Sequence, residues 1–375
     1  MTTTLIPVIS AIVALVLAIV LTPPVAALAR RIGAVDEPSG RRRHAMPTPL
    51  LGGLAILGAF LVPVLWFLPF TGAMRALVIG AVLMAIVGAA DDIIELPPLG
   101  KLAAQIAVSI IPVAAGITID HVTLPLIGVF DLGWVQYPVS IIWFVALVNM
   151  INFTDGVDGL TAGLAMIAAV TFLILAASLD RAEASIIAAS LAGACAGFLV
   201  FIFHPARIFL GDTGSLVVGF LLAGIAVGGV MKSAAAIALV APLLILALPI
   251  LDTSFVIAKR LKYRQPVYGA DRNHFHHRFA NIGWGPRKTA LVVYAWCALM
   301  GAVAVAIRII PYHADDAAAT LAGRLALGAI ALLAVAATVW LIYRLEILKW
   351  RRTPVVTLVR ERRPEPPVET PAPPR

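Results

Sequence analysis

Apolar runs of about twenty residues, the length that carries a helix through a bilayer, recur along this chain from one end to the other, each closed by a short polar interval. Their limits predict eleven membrane helices, at roughly 5–29, 50–70, 74–90, 100–119, 137–152, 159–179, 184–203, 213–231, 234–257, 288–310 and 317–344. Several runs contain Gly and Pro, which bilayer helices tolerate when neighbouring helices satisfy the freed backbone groups. No internal repeat of the transporter kind is visible. The first run is too long for a signal-peptide core and no small-residue cleavage site closes it, so it reads as a retained span. The pattern predicts an all-α polytopic integral membrane protein. It has a single transmembrane domain over residues 1–350, with functional loops at 31–49, 91–100, 152–158, 204–212 and 258–288. The Pro-rich, charged segment 351–375 reads as a disordered tail.

Composition narrows this further. Of the 375 residues, 61% are hydrophobic and 13% charged, against about 25% charged in an ordinary soluble domain. A soluble enzyme is excluded. Cys195 and Cys297 both lie inside apolar runs, which gives neither a disulfide framework nor a Cys-based metal site. The net charge of +8 belongs to topology and not to nucleic acid, because no basic patch is interleaved with stacking aromatics.

The positive charges also predict orientation. With the loops assigned alternately from an outside N-terminus, one side carries 23 of the 28 Lys and Arg residues and the other five. Positive residues concentrate on the cytoplasmic side, so the C-terminus is placed in the cytoplasm. Asp36, Asp91, Asp92, Asp155, Asp158, Asp212, Asp252 and Asp271 then all fall on that side or at that end of a helix. Ionisable groups at a bilayer margin are costly and usually functional. An ion-coupled transporter is the reading from another class, but transporter sites lie near the bilayer midplane on broken helices.

Five stretches carry candidate chemistry. In VGAADDII, Asp91 and Asp92 end a span. Adjacent carboxylates repel, and a divalent cation or a cationic partner removes that penalty; Mg²⁺ favours one or two carboxylates together with phosphate oxygens. A solvated helix end with incidental acids is the bland alternative. NFTDGVDGLTAG sets Asp155 and Asp158 three apart, on one face if the helix continues, with Asn149 and Asn152 as neutral partners. Helix capping by Asn152 or Asp155 would account for one of these four polar groups. RIFLGDTGSL opens an apolar run with a start suited to anions. Asp212 would repel a bare phosphate unless a metal bridges them, and self-capping by Asp212, Thr213 or Ser215 is the alternative. ADRNHFHHRF groups His274, His276 and His277 with Arg272 and Arg278. This suits a pyrophosphate better than a bare metal, since the HExxH spacing is absent. Finally, VDEPSGRRRHAMPTPLLGG combines Asp36, Arg41 and His44 with a Pro-x-Pro and a Gly–Gly pair, a shaped loop rather than a loose tether.

In this order, over roughly residues 5–345, the five stretches resemble the polyprenyl-phosphate N-acetylhexosamine-1-phosphate transferase family, which includes the peptidoglycan translocase and the enzymes that initiate O-antigen and teichoic acid synthesis. Asp36, Pro38, Arg41, His44, Pro47, Pro49, Gly52 and Gly53 meet its first motif in full. Asp91 and Asp92 match its DD motif and Lys101 the following lysine. Asn149, Asn152, Asp155 and Asp158 match N-x-x-N-x-x-D-G-x-D-G, and Asp212 the metal-ligand aspartate. His274, His276 and His277 match H-x-H-H, the form of the N-acetylglucosamine-type members. One position departs: relatives carry Asn ten residues before the metal-ligand Asp, where this chain has Ile202, and His204 is a candidate substitute.

The resemblance implies a Mg²⁺-dependent transfer of a sugar 1-phosphate, foremost N-acetylglucosamine-1-phosphate, from a UDP-sugar to undecaprenyl or another polyprenyl phosphate, releasing UMP. Mn²⁺ is an alternative cation. It implies a multi-pass protein of the bacterial inner membrane with its site facing the cytoplasm, compatible with a homodimer, and a product feeding cell-wall or O-antigen synthesis. In these terms the catalytic candidates are Asp91, Asp92, Asp155, Asp158, His274, His276 and His277. The substrate-binding candidates are Asp36, Arg41, His44, Lys101, Asn149, Asn152 and Arg272, and the metal candidates are Asp212 and Asp92. Another UDP-N-acetyl sugar, a 6-deoxy-N-acetylhexosamine or UDP-MurNAc-pentapeptide, stays open as donor. So does the choice between one displacement and a covalent aspartyl intermediate.

Overall fold

The structure, a computed structural model, describes residues 2–36, 47–70, 72–124, 128–231, 242–262, 283–310 and 317–344. Among these, eleven α-helices follow the predicted runs: α1 Thr2–Ile32, α2 Gly52–Phe67, α3 Gly72–Ile94, α4 Pro98–Ala114, α5 Gln136–Thr154, α6 Leu160–Ser178, α7 Ala182–Ile202, α8 Gly211–Ile225, α9 Ala247–Lys262, α10 Pro286–Ile309 and α11 Ala317–Arg344. Among the described residues eight helices are long and apolar enough to cross a membrane, and α2 and α4 are shorter apolar helices. The chain is an all-α polytopic membrane protein. α9 overlaps the span expected over 234–257 from Ala247 onward, residues 234–241 lying outside the described ones, and its last turn carries Lys259, Arg260 and Lys262. The all-α expectation also needs a small addition, because two loops form short antiparallel ladders. β1 (Val35–Asp36) pairs with β2 (Thr48–Pro49), and β3 (His121–Leu124) pairs with β4 (Gly128–Asp131).

The helices pack around α8, whose residues from Thr213 to Ile225 are all buried. A helix apolar on every side belongs in the centre of a bundle, and α8 has that character. Small residues set the close approaches between helices, as expected where no hydrophobic force separates protein from lipid. A Cβ on Gly193 of α7 would stand 2.0 Å from the Ala11 carbonyl oxygen of α1, and one on Gly197 2.3 Å from that of Leu15. This Gly-x-x-x-Gly pair lets α1 lie directly on α7. At the other extreme, α11 exposes Leu321, Leu325, Leu332, Leu333, Val335 and Val339, the composition of a lipid-facing outer helix.

One end of the bundle is tied together by backbone contacts. Phe209 N–H donates to the Pro49 carbonyl at 2.8 Å, Gly52 N–H to Phe209 at 3.0 Å and Gly53 N–H to Leu210 at 3.1 Å. The PTPLLGG stretch is thus the clamp on the segment leading into α8. Its glycines are required for space: a Cβ on Gly53 would lie 2.2 Å from the Gly214 backbone, and one on Gly88 of α3 2.5 Å from the Asp212 carbonyl.

Candidate active site

Asp91 and Asp92 lie in the last turn of α3, and Asp212 in the first turn of α8. Helix α4, entered through Pro97 and Pro98, brings Lys101 to the same end. The C-terminal end of α5 brings Asn152, and the α5–α6 connection brings Asp155 and Asp158. Four helices and one connection therefore deliver these groups to one place.

The two neighbouring aspartates turn in different directions. Asp92 Oδ1 accepts from the Asp212 N–H at 2.8 Å. Its Oδ2 accepts from the Thr213 N–H at 3.0 Å and the Thr213 hydroxyl at 2.6 Å. The first N–H groups of a helix have no partner inside it, and no side chain of the α8 N-cap residue, Leu210, supplies one. Asp92 supplies it from another helix. Self-capping of α8, the bland sequence reading of GDTGS, is replaced by capping across the bundle. Gly211, at φ +69°, makes the approach close: a Cβ there would stand 2.5 Å from Asp92 Oδ2. As a metal candidate, Asp92 has its oxygens committed to α8, and its evident work is to seat Asp212.

Asp91 faces the cation. Its Oδ1 accepts from the Leu96 N–H at 2.8 Å and its Oδ2 from Lys101 Nζ at 3.0 Å. The same ammonium donates to Asp212 Oδ2, and Asn152 Nδ2 donates to Asp212 Oδ1 at 2.8 Å and to the Ser215 hydroxyl at 2.8 Å. Asp91 and Asp212, on different helices, converge on one positive charge with Asn152 beside them.

The DGVDG stretch departs from its expected form. Helix α5 stops at Thr154 and α6 starts at Leu160, so Asp155 and Asp158 share no helical face. Gly159, at φ +78°, turns the chain, and its lack of a side-chain cap removes the reading of Asn152 or Asp155 as the cap of α6. The Asp155 carboxyl lies within electrostatic reach of Asp212, Asp92 and Asp158. Burial pushes its carboxyl up to about 7, and the Asp212, Asp92 and Asp158 charges add to this against the pull of the Thr161 hydroxyl. Asp158 is buried; its Oδ2 lies 2.7 Å from His204 Nδ1 and accepts from the Ala206 N–H at 3.2 Å.

Asn149, expected on the substrate, lies one turn before Asn152 and donates to Gln105 Oε1 at 2.6 Å and the Val145 carbonyl at 2.8 Å. It ties α5 to α4 and is not part of the acidic cluster. Ile202 is buried in the apolar core, so that position offers no polar contact. Asp36 lies in β1 opposite Thr48. Arg41, His44, Arg272, His274, His276 and His277 lie outside the described residues. Sequence reasoning missed Gln105, Thr213 as the partner of Asp92, and Arg287, whose Nε donates to the His204 carbonyl at 3.0 Å. The one available signal was Gln105 at four residues from Lys101, a polar group on the same helical face inside an apolar run.

Among the described residues no group of three or more His, Cys, Asp or Glu side chains forms a ready-made metal cage. The donor set fits a divalent cation of another kind. Mg²⁺ keeps waters and takes one or two carboxylates with substrate phosphate oxygens, and Asp91 and Asp212 are two carboxylates already converging on a cation.

The family model for glycosyl transferase family 4 matches residues 74–230, the stretch from α3 through α8 that holds this cluster. A Bacillus subtilis (strain 168) protein named as a probable undecaprenyl-phosphate N-acetylglucosaminyl 1-phosphate transferase is 37% identical over 289 residues, covering 76% of this chain and 81% of its own. A Mycobacterium tuberculosis (strain H37Rv) protein named decaprenyl-phosphate N-acetylglucosaminephosphotransferase is 34% identical over 344 residues, with 83% of this chain and 84% of its own covered. A Moorella thermoacetica protein named phospho-N-acetylmuramoyl-pentapeptide-transferase is 33% identical over 307 residues, covering 77% and 94%.

Proposed function

The chain belongs to glycosyl transferase family 4, the polyprenyl-phosphate N-acetylhexosamine-1-phosphate transferases, and from that premise we propose that it transfers N-acetylglucosamine-1-phosphate from UDP-N-acetylglucosamine to a polyprenyl phosphate and releases UMP. One observation carries the reading: Asp91 and Asp212, from α3 and α8, meet on the single ammonium of Lys101 at one end of a membrane bundle. A soluble diphosphate and a lipid phosphate repel each other, and a site that joins them needs fixed positive charge and a held cation where charge develops.

In this reading Asp212 and Asp91 would hold Mg²⁺, with Mn²⁺ as its substitute, and the ion when bound would offset charge on the departing UMP. Asn152 fixes the Asp212 carboxylate, and Asp92 fixes the backbone beneath it. Lys101 keeps two carboxylates together before the substrates arrive and can turn to a phosphate when they do. Asp155, its carboxyl raised to about 7 by burial, is only partly ionised near neutrality and adds less than a full negative charge to the place where anions must enter. Asp91 is also the carboxylate suited to orient the attacking lipid phosphate. The eleven helices run from an outside N-terminus to a cytoplasmic C-terminus, by the distribution of Lys and Arg. The site then faces the cytoplasm from the bacterial inner membrane, and the product feeds cell-envelope polysaccharide.

A panel of UDP-sugars tests the donor. Purified protein with Mg²⁺ and polyprenyl phosphate is expected to release UMP from UDP-N-acetylglucosamine. The M. thermoacetica relative gives the second reading, the same chemistry with UDP-MurNAc-pentapeptide. UMP release from that donor alone would establish the second reading in place of the first.

A further inference from the structure

Resting on the reading that this end of the bundle receives a nucleotide-sugar, we propose that His204 is a substrate-recognition residue, its ring held by Asp158 through Nδ1 so that Nε2 is presented to a polar group of the soluble substrate.

The two halves of the pair are differently placed. The Asp158 side chain is 5% exposed, whereas the His204 ring is 36% exposed. Burying a carboxylate is unfavourable unless its lone pairs are used, and Asp158 uses Oδ2 on His204 Nδ1 at 2.7 Å and the Ala206 N–H at 3.2 Å. A carboxylate only accepts, so Nδ1 carries the proton. That leaves Nε2, on the edge away from the buried acid, as the ring nitrogen able to meet a polar group of the substrate. Fixing a tautomer through the inner nitrogen so that the outer one can work is a recurring use of an Asp–His pair.

The backbone around His204 is held as firmly as its ring. Its carbonyl accepts from Arg287 Nε at 3.0 Å, which links it to the start of α10. Five and six residues on, at Phe209 and Leu210, the same connection is clamped by Gly52 and Gly53 before it enters α8 at Gly211. Asp158 is also close enough for its charge to act on Asp155. An exposed ring is thus fixed by a buried acid, an arginine and a clamped loop, at the end of the bundle where the cluster lies.

Two amide variants separate recognition from structure. His204→Asn places an amide nitrogen near Nδ1 and keeps the tie to Asp158, but removes the outer group. His204→Gln reaches toward Nε2 and gives up the tie. In the purified full chain, His204→Asn is expected to melt like the wild type, bind UDP-N-acetylglucosamine about tenfold more weakly, as for one lost hydrogen bond, and leave the KM for polyprenyl phosphate unchanged. His204→Gln is expected to recover part of that binding at a lower melting temperature. Wild-type affinity for UDP-N-acetylglucosamine in His204→Asn overturns the proposal, as does an equal rise in KM for both substrates. A wild type that binds UDP-N-acetylglucosamine yet releases no UMP contradicts the transferase reading alone, because the binding comparison still decides the role of His204.

Discussion

The Asp212 backbone N–H donates to Asp92 Oδ1 at 2.8 Å, so the acid at the end of α3 caps the helix that carries the central aspartate of the cluster. The preceding residue, Asp91, reaches the Asp212 side chain through Lys101. Adjacent acids in the sequence thus hold the backbone and the charge of one residue on another helix.

This division of work separates two substitutions that look alike in the sequence. Asp92→Ala strips three hydrogen bonds from the start of α8, and it is expected to cost about 2–4 kcal/mol of stability as well as activity. Asp91→Asn still accepts from the Leu96 N–H, so its melting temperature should stay close to that of the wild type while turnover falls about a hundredfold or more. Thermal unfolding and UMP release measured on the same preparations check both.

Lys101 holds together two carboxylates that would otherwise repel. Lys101→Met is expected to tighten Mg²⁺ binding by about tenfold, roughly 1.4 kcal/mol, while abolishing most turnover. The change is read as a larger rise in melting temperature on adding Mg²⁺. An unchanged Mg²⁺ response in Lys101→Met would place the cation away from Asp91 and Asp212.

Space at the cluster is set by backbone. Gly88→Ala would press a methyl group against the Asp212 carbonyl and the Thr213 backbone at 2.5 Å, neither of which can rotate away. We expect a loss of about 1–3 kcal/mol together with most of the activity. Gly328→Ala on the outer helix α11 meets open space and should leave melting temperature and turnover unchanged or slightly improve stability, since Ala is the better helix former.

Asp155 predicts a pH dependence. Its carboxyl lies at about 7 in the folded protein against an ordinary 3.8. The folded state therefore holds a proton that the unfolded chain has lost over that interval. The stabilising contribution is fully present below about 4 and is lost as pH rises through about 7. Without divalent cation, thermal stability should fall from pH 5 to pH 8 more steeply in the wild type than in Asp155→Asn. Equal slopes would show that Asp155 does not titrate there.

Much of the architecture was legible from apolar run length alone, because a bilayer gives a spanning helix few alternatives to about twenty apolar residues. The span expected over 234–257 coincides with α9 from Ala247 onward, and residues 234–241 lie outside the described ones. The short β1–β2 and β3–β4 ladders were missed, since two to four residues carry no usable period. At the site, motif matching found Asp91, Asp155 and Asp212, but not which way each side chain turns. Asp92 serves a helix start 120 positions away in the chain, and Asn149 pairs with Gln105, 44 positions away. Such partners follow from helix packing, which a single sequence does not display. The glycines of PTPLLGG were recognised as a shaped loop, but the loop they clamp was visible only in three dimensions.

The central claim is that Asp212, seated by Asp92 and charge-paired through Lys101, lies where a UDP-sugar and a lipid phosphate react. The most direct measurement is UMP release by purified wild type and Asp212→Asn, given Mg²⁺, UDP-N-acetylglucosamine and polyprenyl phosphate. The account predicts steady UMP release with a lipid-linked sugar product from the wild type, and a loss of about a hundredfold or more in a folded Asp212→Asn. No UMP from the wild type, or wild-type turnover by Asp212→Asn, would contradict it.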